Sequence, residues 1–251
     1  MAVRNHICCL ILGKSGSGKS LLARMLLSLY VLYEKRDIYV SISLKEDHID
    51  PPIPTGGPCY EIFLSRLGFE DMRIRPHHFR LGQHTKFNWR KILRHHPRIC
   101  VTTEGLPPEG YALVIDGLAR TLRDLGNAVI LIDEAERFIP RARCAPGILD
   151  LLRQGRYRGV DMLIVSHADT GVNPEVLLES NMLILFNIRH PTRVDRLRYY
   201  FDDPGVVSEL DKYEYILVDD TRGGYKIRRY STEDLKWLKA RAPWLFEPPS
   251  S

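Results

Sequence analysis

With 251 residues, 44% of them hydrophobic, the chain is long enough to bury the core of one large α/β domain, and its formal net charge of +5 matters less than its uneven distribution. No apolar stretch approaches the ~20 residues of a membrane span: the nearest, Leu21 to Tyr33, is interrupted by Arg24, and the N-terminal apolar run enters a glycine loop instead of a cleavage site. Cys8, Cys9, Cys59, Cys100 and Cys144 are odd in number and lack metal-ligand spacing, which argues against a disulfide framework and for a soluble chain in a reducing, intracellular compartment.

The first element lies in ICCLILGKSGSGKS, residues 7 to 20: a hydrophobic strand, Gly13, four residues, Gly18, Lys19 and Ser20, then the helical pattern LLARMLLSLYVLYEK. Strand, phosphate loop and helix stand in the required order. Gly13, Lys14, Ser15, Gly16, Ser17, Gly18, Lys19 and Ser20 can turn successive N–H groups onto phosphate oxygens, helped by the positive end of the helix. Lys19 is expected at the β and γ phosphates and Ser20 at Mg²⁺, so ATP and Mg²⁺ are the implied ligands.

Ile38 to Leu44 reads as a second strand, and LKEDHIDPPIPTGGP as a loop introducing a basic insertion at about 60–98. From Met72 to Thr103 there are eight Lys or Arg, five of the nine histidines and no acid. With +8 here and +5 overall, the remainder of the chain carries −3. A block with no acid of its own fits either a solvated face or a surface for a polyanion. PRICVTTEG is a further strand, and PEGYALVIDGLARTLRDLGN is a helix stopped by Gly-Asn.

AVILIDEAE, residues 128 to 136, is apolar enough for a buried parallel strand and ends in Asp133 and Glu134. Ligands of open parallel sheets lie beyond the carboxyl ends of the strands, so both carboxylates fall beside a nucleotide held by Lys19. Asp133 would hold Mg²⁺ through water and Glu134 would activate the attacking water; the alternative is a carboxylate pair opening the next helix. A third strand, in RQGRYRGVDMLIVSH, ends on His167, level with Asp133 if the two strands are neighbours. There an imidazole could contact the γ-phosphate or the water, or simply cap the next loop. Arg153, Arg156 and Arg158 precede the strand, at the edge away from the chain's own nucleotide. That place suits an arginine given to a neighbouring subunit, or solvated arginines at a helix end.

EYILVDD, TRGG and YKIRRYS read as a hairpin, and STEDLKWLKARAP as a helix opened by a capping box, together covering about 213–243. The expected fold is α/β: a P-loop NTPase (RecA-like, ASCE) built as a three-layer αβα sandwich, with a mainly parallel central sheet and a C-terminal β-hairpin plus helix, all in one domain over 1–251.

At GRYRGVDMLIVSHADTGVNPEVLLESNMLILFNIRHPTRVDRLR, residues 155 to 198, taken with GKSGSGKS and LIDEAERF, the chain resembles the HerA and FtsK superfamily of DNA-translocating ATPases over about 13 to 200. The resemblance implies a ring, hexamer or pentamer, that moves duplex DNA using ATP. By position it makes Lys19 and Ser20 the phosphate-loop residues, Asp133 and Glu134 the metal and base residues, and Arg156 the trans-acting arginine. His167 departs from the pattern, because the strand usually ends in Ser-Gln or Thr-Gln; an imidazole can still donate or accept a hydrogen bond.

Beginning almost at its first strand, the sequence has no room for the N-terminal barrel of HerA helicases or the membrane region of FtsK, and so resembles the compact packaging ATPases of tailless, often membrane-containing viruses. IDEAERFIPRAR and RYRGVDMLIVSH are also similar to the zonula occludens toxin-like assembly ATPases of filamentous phages, which typically carry a transmembrane segment. The expectation is a motor that packages double-stranded viral DNA into a preformed capsid, in the host cytoplasm or on the virion, with a capsid vertex or viral membrane protein as further partner. An export ATPase for a coated single strand, and a nucleotide-dependent switch without turnover, are the alternatives. For a motor, Arg73, Arg75, Arg80, Lys86, Arg90, Lys91 and Arg94 are the candidate DNA contacts, with Trp89 in the core.

Overall fold

The computed structural model describes residues 6–33, 35–43, 68, 70–73, 87–103, 105–142, 144–167, 171–199, 203–211, 213–219, 224–228 and 240. Five apolar runs form the centre of the sheet: β1 (Cys8–Leu12), β2 (Ile38–Ser43), β5 (Ala128–Ile132), β6 (Val160–Ser166) and β7 (Met182–Phe186). β3 (Glu70–Arg73) and β4 (Arg98–Thr102) extend it on one side, and β8 (Tyr215–Asp219) and β9 (Gly224–Arg228) on the other. Among the described residues these make one sheet in the order β3-β4-β2-β5-β6-β1-β7-β8-β9. Pairing is parallel from β3 to β7 and antiparallel at β7–β8 and β8–β9, the expected hairpin.

Buried on both faces, β1, β5 and β7 read as unbroken apolar runs, while β2 carries Ser41 and Ser43 and β6 carries Asp161. Side chains alternate between the faces. Cys9, Ile11, Val129, Leu131, Leu163 and Val165 face a layer with Leu22, Ala23, Met25, Leu27 and Val31 of helix α1 (Lys19–Leu32). Cys8, Leu10, Ile130, Ile132, Met162 and Ile164 face the other layer, built from α2 (Trp89–His95), α3 (Pro108–Leu125), α4 (Ala135–Phe138), α5 (Pro146–Arg158) and α6 (Pro174–Glu179). α7 (Pro191–Arg196), a 3₁₀ turn (Leu197–Tyr199) and α8 (Val206–Glu209) lie between β7 and β8. The sandwich thus has the three expected layers.

α3 shows how sequence sets element ends. Pro108 stands at its first position, and Val114, Ile115, Leu118, Ala119 and Leu122 make its buried stripe. It stops at Gly126, whose φ of 70° lets the chain turn while its N–H donates to Leu122 O at 2.8 Å.

The described part of the basic stretch is built into the sheet. β3 and β4 form its edge, and α2 buries Trp89, as expected, together with Leu93. Nor is the block without acidic partners: Arg90 pairs with Asp124 at 3.5 Å and His96 with Glu70. Local sequence cannot show such pairs, because Asp124 comes from α3 and Glu70 from β3.

A buried ion pair joins strands at the amino-end edge of the sheet. Asp161, 1% exposed, accepts from Arg36 Nε at 2.9 Å and from the Ile7 N–H at 2.9 Å. Arg36 Nη2 lies 2.6 Å from the same carboxylate.

Candidate nucleotide site

β6 lies between β1 and β5, so the strands carrying the phosphate loop, His167 and Asp133 are consecutive neighbours. Parallel register aligns their ends: Leu12 pairs with Ser166, and Ile132 with Ile164. The loop residues, Asp133, Glu134 and His167 therefore meet at the carboxyl edge, where α/β sheets bind ligands.

Gly13, Gly16 and Gly18 have φ of 155°, 73° and 106°, backbone that only glycine adopts readily. At Gly13 and Gly18 space is also lacking. A Cβ on Gly13 would come within 2.6 Å of Phe186 Cβ, and one on Gly18 within 2.7 Å of Tyr213 Cδ1. Lys14 N–H donates to Asn187 O at 3.2 Å and Ser17 N–H to Lys14 O at 3.4 Å, which closes the loop over the start of α1. The first helical turn then directs N–H groups that have no partner within the helix toward the site.

Lys19 is 4% exposed, and burial pulls its ammonium down to about 8, against the pull of Asp133, Glu136 and Glu134 in the other direction. Nζ donates to Lys14 O at 2.8 Å and lies 3.3 Å from His167 Nδ1. An ammonium has only donors, so Nδ1 accepts and the ring proton sits on Nε2. His167 itself is exposed at the end of β6.

Asp133, 6% exposed, accepts at Oδ1 from Ser20 Oγ at 3.1 Å and from the Glu134 N–H at 3.0 Å. Its Oδ2 lies 3.4 Å from the buried Arg24 guanidinium. Glu134 is half-buried at φ 52°, ψ 48°, a left-handed conformation rare for a residue with a side chain; such strain concentrates at functional sites. Glu134 stands at the N-cap position of α4, but its side chain makes no capping bond.

Ser20 Oγ and the Asp133 carboxylate are hard oxygen donors that suit Mg²⁺. Among the described residues no group of three or more His, Cys, Asp or Glu is placed to hold a metal ion. A buried cation, a helix N-terminus and glycine turns fit a polyphosphate in the same way.

Arg153, Arg156 and Arg158 occupy the last turns of α5, at the amino end of β6, away from this site. Arg153 is paired with Glu175 at 2.9 Å, while Arg156 stacks on Tyr157, its guanidinium carbon 4.6 Å from the ring centroid. Of the candidate DNA contacts, Arg90, Lys91 and Arg94 are exposed on α2, and Arg73 ends β3. Arg75, Arg80 and Lys86, like the expected helix after the hairpin, lie outside the described residues apart from Ala240.

Sequence reading did not assign Arg24, Glu136, Ser166, Asn187 or Tyr213. Ser166 Oγ donates to Glu136 Oε2 at 2.8 Å, tying the end of β6 to α4. Glu136 carried a signal, as the second glutamate of IDEAE; the others meet the site only through the fold.

Among curated proteins none matches this sequence. Several solved structures share its fold. The genome packaging NTPase B204 of Sulfolobus turreted icosahedral virus 2, in complex with AMPPCP, superposes with a TM-score of 0.65 at 16% identity, covering 90% of this chain and 97% of that one. VirB4 of Thermoanaerobacter pseudethanolicus gives 0.61 at 13% identity, covering 93% and 92%. The bacterial conjugative coupling protein TrwBdeltaN70 gives 0.54 at 11%, covering 89% and 85%. At such identities the likeness establishes the fold, which is the P-loop NTPase fold the motifs implied. The sequence model described as AAA domain matches residues 3–165, more than half of the chain, and the chain therefore belongs to the AAA domain family.

Proposed function

We propose that this protein is an ATP hydrolase that translocates double-stranded DNA and, as a ring of identical subunits, loads a viral genome into a preformed capsid. The observation that carries the hydrolase reading is the convergence of Lys19, Ser20, Asp133, Glu134 and His167 at the ends of three adjacent strands. Fold likeness to a genome packaging NTPase over 90% of the chain, and the cationic α2 surface, support the DNA reading.

In this reading the loop N–H groups and Lys19 hold the β and γ phosphates. Mg²⁺, bound by Ser20 Oγ and through water by Asp133, would neutralise charge on the phosphate oxygens. Glu134 takes a proton from the attacking water, and its left-handed backbone fixes where that carboxylate begins. His167, adjacent to Lys19, exchanges its hydrogen bond with the ammonium for one with the phosphate or water. Arg156 reaches the site of a neighbouring subunit, where it supplies positive charge as hydrolysis proceeds.

The test is ATP hydrolysis with and without linear duplex DNA, for wild type and for Glu134→Gln and Arg156→Ala. Duplex stimulation in wild type, lost in both variants, is the expected result. Hydrolysis that ignores duplex and answers to single strands would favour an export ATPase, and nucleotide binding without turnover would favour a switch.

A further inference from the structure

The phosphate loop is braced from behind by the chain that joins β7 to β8. Asn187, 2% exposed, accepts the Lys14 N–H through its carbonyl, and its side-chain amide donates to the carbonyls of Ser208, at 3.2 Å, and Leu210. The beginning of the loop is thus tied to the turn around α8. Phe186, immediately before Asn187, fills the space beside Gly13 that a side chain would take.

Tyr213 reaches the other end of the loop. Its N–H donates to Ser17 O at 3.3 Å, and its ring occupies the place of the missing side chain of Gly18. To do so it adopts φ 73°, left-handed backbone that a bulky residue seldom enters unless its surroundings over-determine it. Two residues on, Tyr215 opens β8, with its ring centroid 5.6 Å from that of Phe186. Phe186 thus borders both Gly13 and Gly18, Tyr213 covers Gly18, and Tyr215 lies beside Phe186, so both ends of the loop meet residues around the start of the hairpin strand.

We propose that Tyr213 is a positioning residue for the phosphate loop, coupling occupancy of that loop to the turn that leads into β8. The inference rests on the reading of the loop as a nucleotide site. Ser17 and Gly18 lie where the loop turns its N–H groups toward phosphate, and Tyr213 holds the same two residues from the opposite side. Anything that steadies Tyr213 therefore favours the binding shape, and by linkage phosphate binding steadies Tyr213. The hairpin continues from that turn, so the state of the loop reaches the edge of the sheet.

The experiment measures binding of the non-hydrolysable analogue AMPPCP with Mg²⁺ to the full chain by calorimetry, together with amide hydrogen exchange. Wild type, Tyr213→Phe and Tyr213→Gly are compared. Glycine accepts the left-handed backbone and keeps the N–H to Ser17 while deleting the ring; phenylalanine keeps the ring. In wild type the analogue should slow exchange in both 13–20 and 211–219. Tyr213→Gly should lose about tenfold in affinity and lose the response of 211–219, while the loop still responds at saturation. Tyr213→Phe should restore both, a rescue that a general loss of folding would not give. A glycine variant that binds as wild type does, or a wild type whose 211–219 exchange ignores bound analogue, overturns the proposal and leaves the nucleotide site standing. A wild-type chain that binds no analogue removes both readings together.

Discussion

Lys19 is a buried charge with its ammonium held on Lys14 O, and that burial makes a prediction in pH. Burial holds its ammonium at about 8 in the folded chain against the ordinary 10.5, so between those values the unfolded chain holds a proton that the folded chain has released. Stability should therefore rise with pH across that window, and the cost of burying the charge is fully present below it. A bound polyphosphate favours the ammonium and reverses the shift. Below pH 8 nucleotide binding should be nearly independent of pH, and above it binding should take up about one proton per site and weaken as pH rises. Calorimetry in buffers of different ionisation enthalpy measures the uptake, and Lys19→Met should abolish it. A second prediction concerns Glu134. Replacing it with glutamine should keep AMPPCP binding and lower kcat by roughly 10²- to 10⁴-fold, the range of a lost general base. Both residues were legible in the sequence because their motifs specify spacing and neighbours within a few positions. Arg24 was not: its partner Asp133 lies 109 residues away, and within LLARMLL an arginine reads only as an interruption. Tyr213 was hidden for the same reason, since its contacts are with loop residues almost the whole chain earlier.

At the scale of elements, β1, β5 and most of β6 were legible because burial on both faces favours near-continuous apolar runs. α3 was legible because its stripe and its Gly-Asn stop are local. Strand order was not written in the runs themselves. It entered the reading only as a condition, that His167 stands level with Asp133 if their strands are neighbours, and the parallel β5–β6 pairing meets that condition. β3 was missed, since EDMR has neither alternation nor an apolar run; it belongs to the sheet through backbone pairing with β4. Asp161 shows the limit clearly, as a carboxylate inside the run GVDMLIVSH that is buried against partners distant in sequence, Arg36 and the Ile7 N–H. Arg36→Met would leave this carboxylate without its guanidinium, at a cost of about 3–5 kcal/mol in unfolding free energy. In the double variant Arg36→Met, Asp161→Leu most of that loss should be recovered, because the buried charge goes with its partner. Urea denaturation of the two single variants and the double variant closes the cycle; equal losses in single and double variants would show that the pair is not what joins these strands.

For the whole molecule, the two ends of the parallel sheet carry opposite halves of one proposed reaction centre. The carboxyl edge holds Lys19, Asp133, Glu134 and His167, while the arginines of α5 stand at the amino end of β6, a strand of seven residues and about 20 Å long. Arg156 cannot serve its own subunit across that distance, but in a closed ring each subunit presents one edge to the next, as heterologous interfaces require. The surface around it suits an interface. Tyr157 is 73% exposed and carries the Arg156 guanidinium on its ring, and tyrosine and arginine are enriched where proteins meet. Arg153 is engaged with Glu175 within the subunit, so Arg153→Ala should disturb that local pair without depriving a neighbouring site. Mixing separates these roles. If Arg156 acts in trans and the ring turns over in concert, Arg156→Ala subunits added to wild type should depress duplex-stimulated hydrolysis as a power of the wild-type fraction, the exponent being the ring size. Subunits acting independently would give a straight line instead. Arg153→Ala subunits should leave hydrolysis near its wild-type level, and Glu134→Gln subunits, which keep their arginine and should turn over far more slowly, should show whether one idle site stalls the whole ring. A linear fall for Arg156→Ala would mean that the sites fire independently, whereas hydrolysis that does not fall at all would remove the trans-acting role and return the arginine to the solvated end of its helix, where its charge does no more than complement the helix dipole.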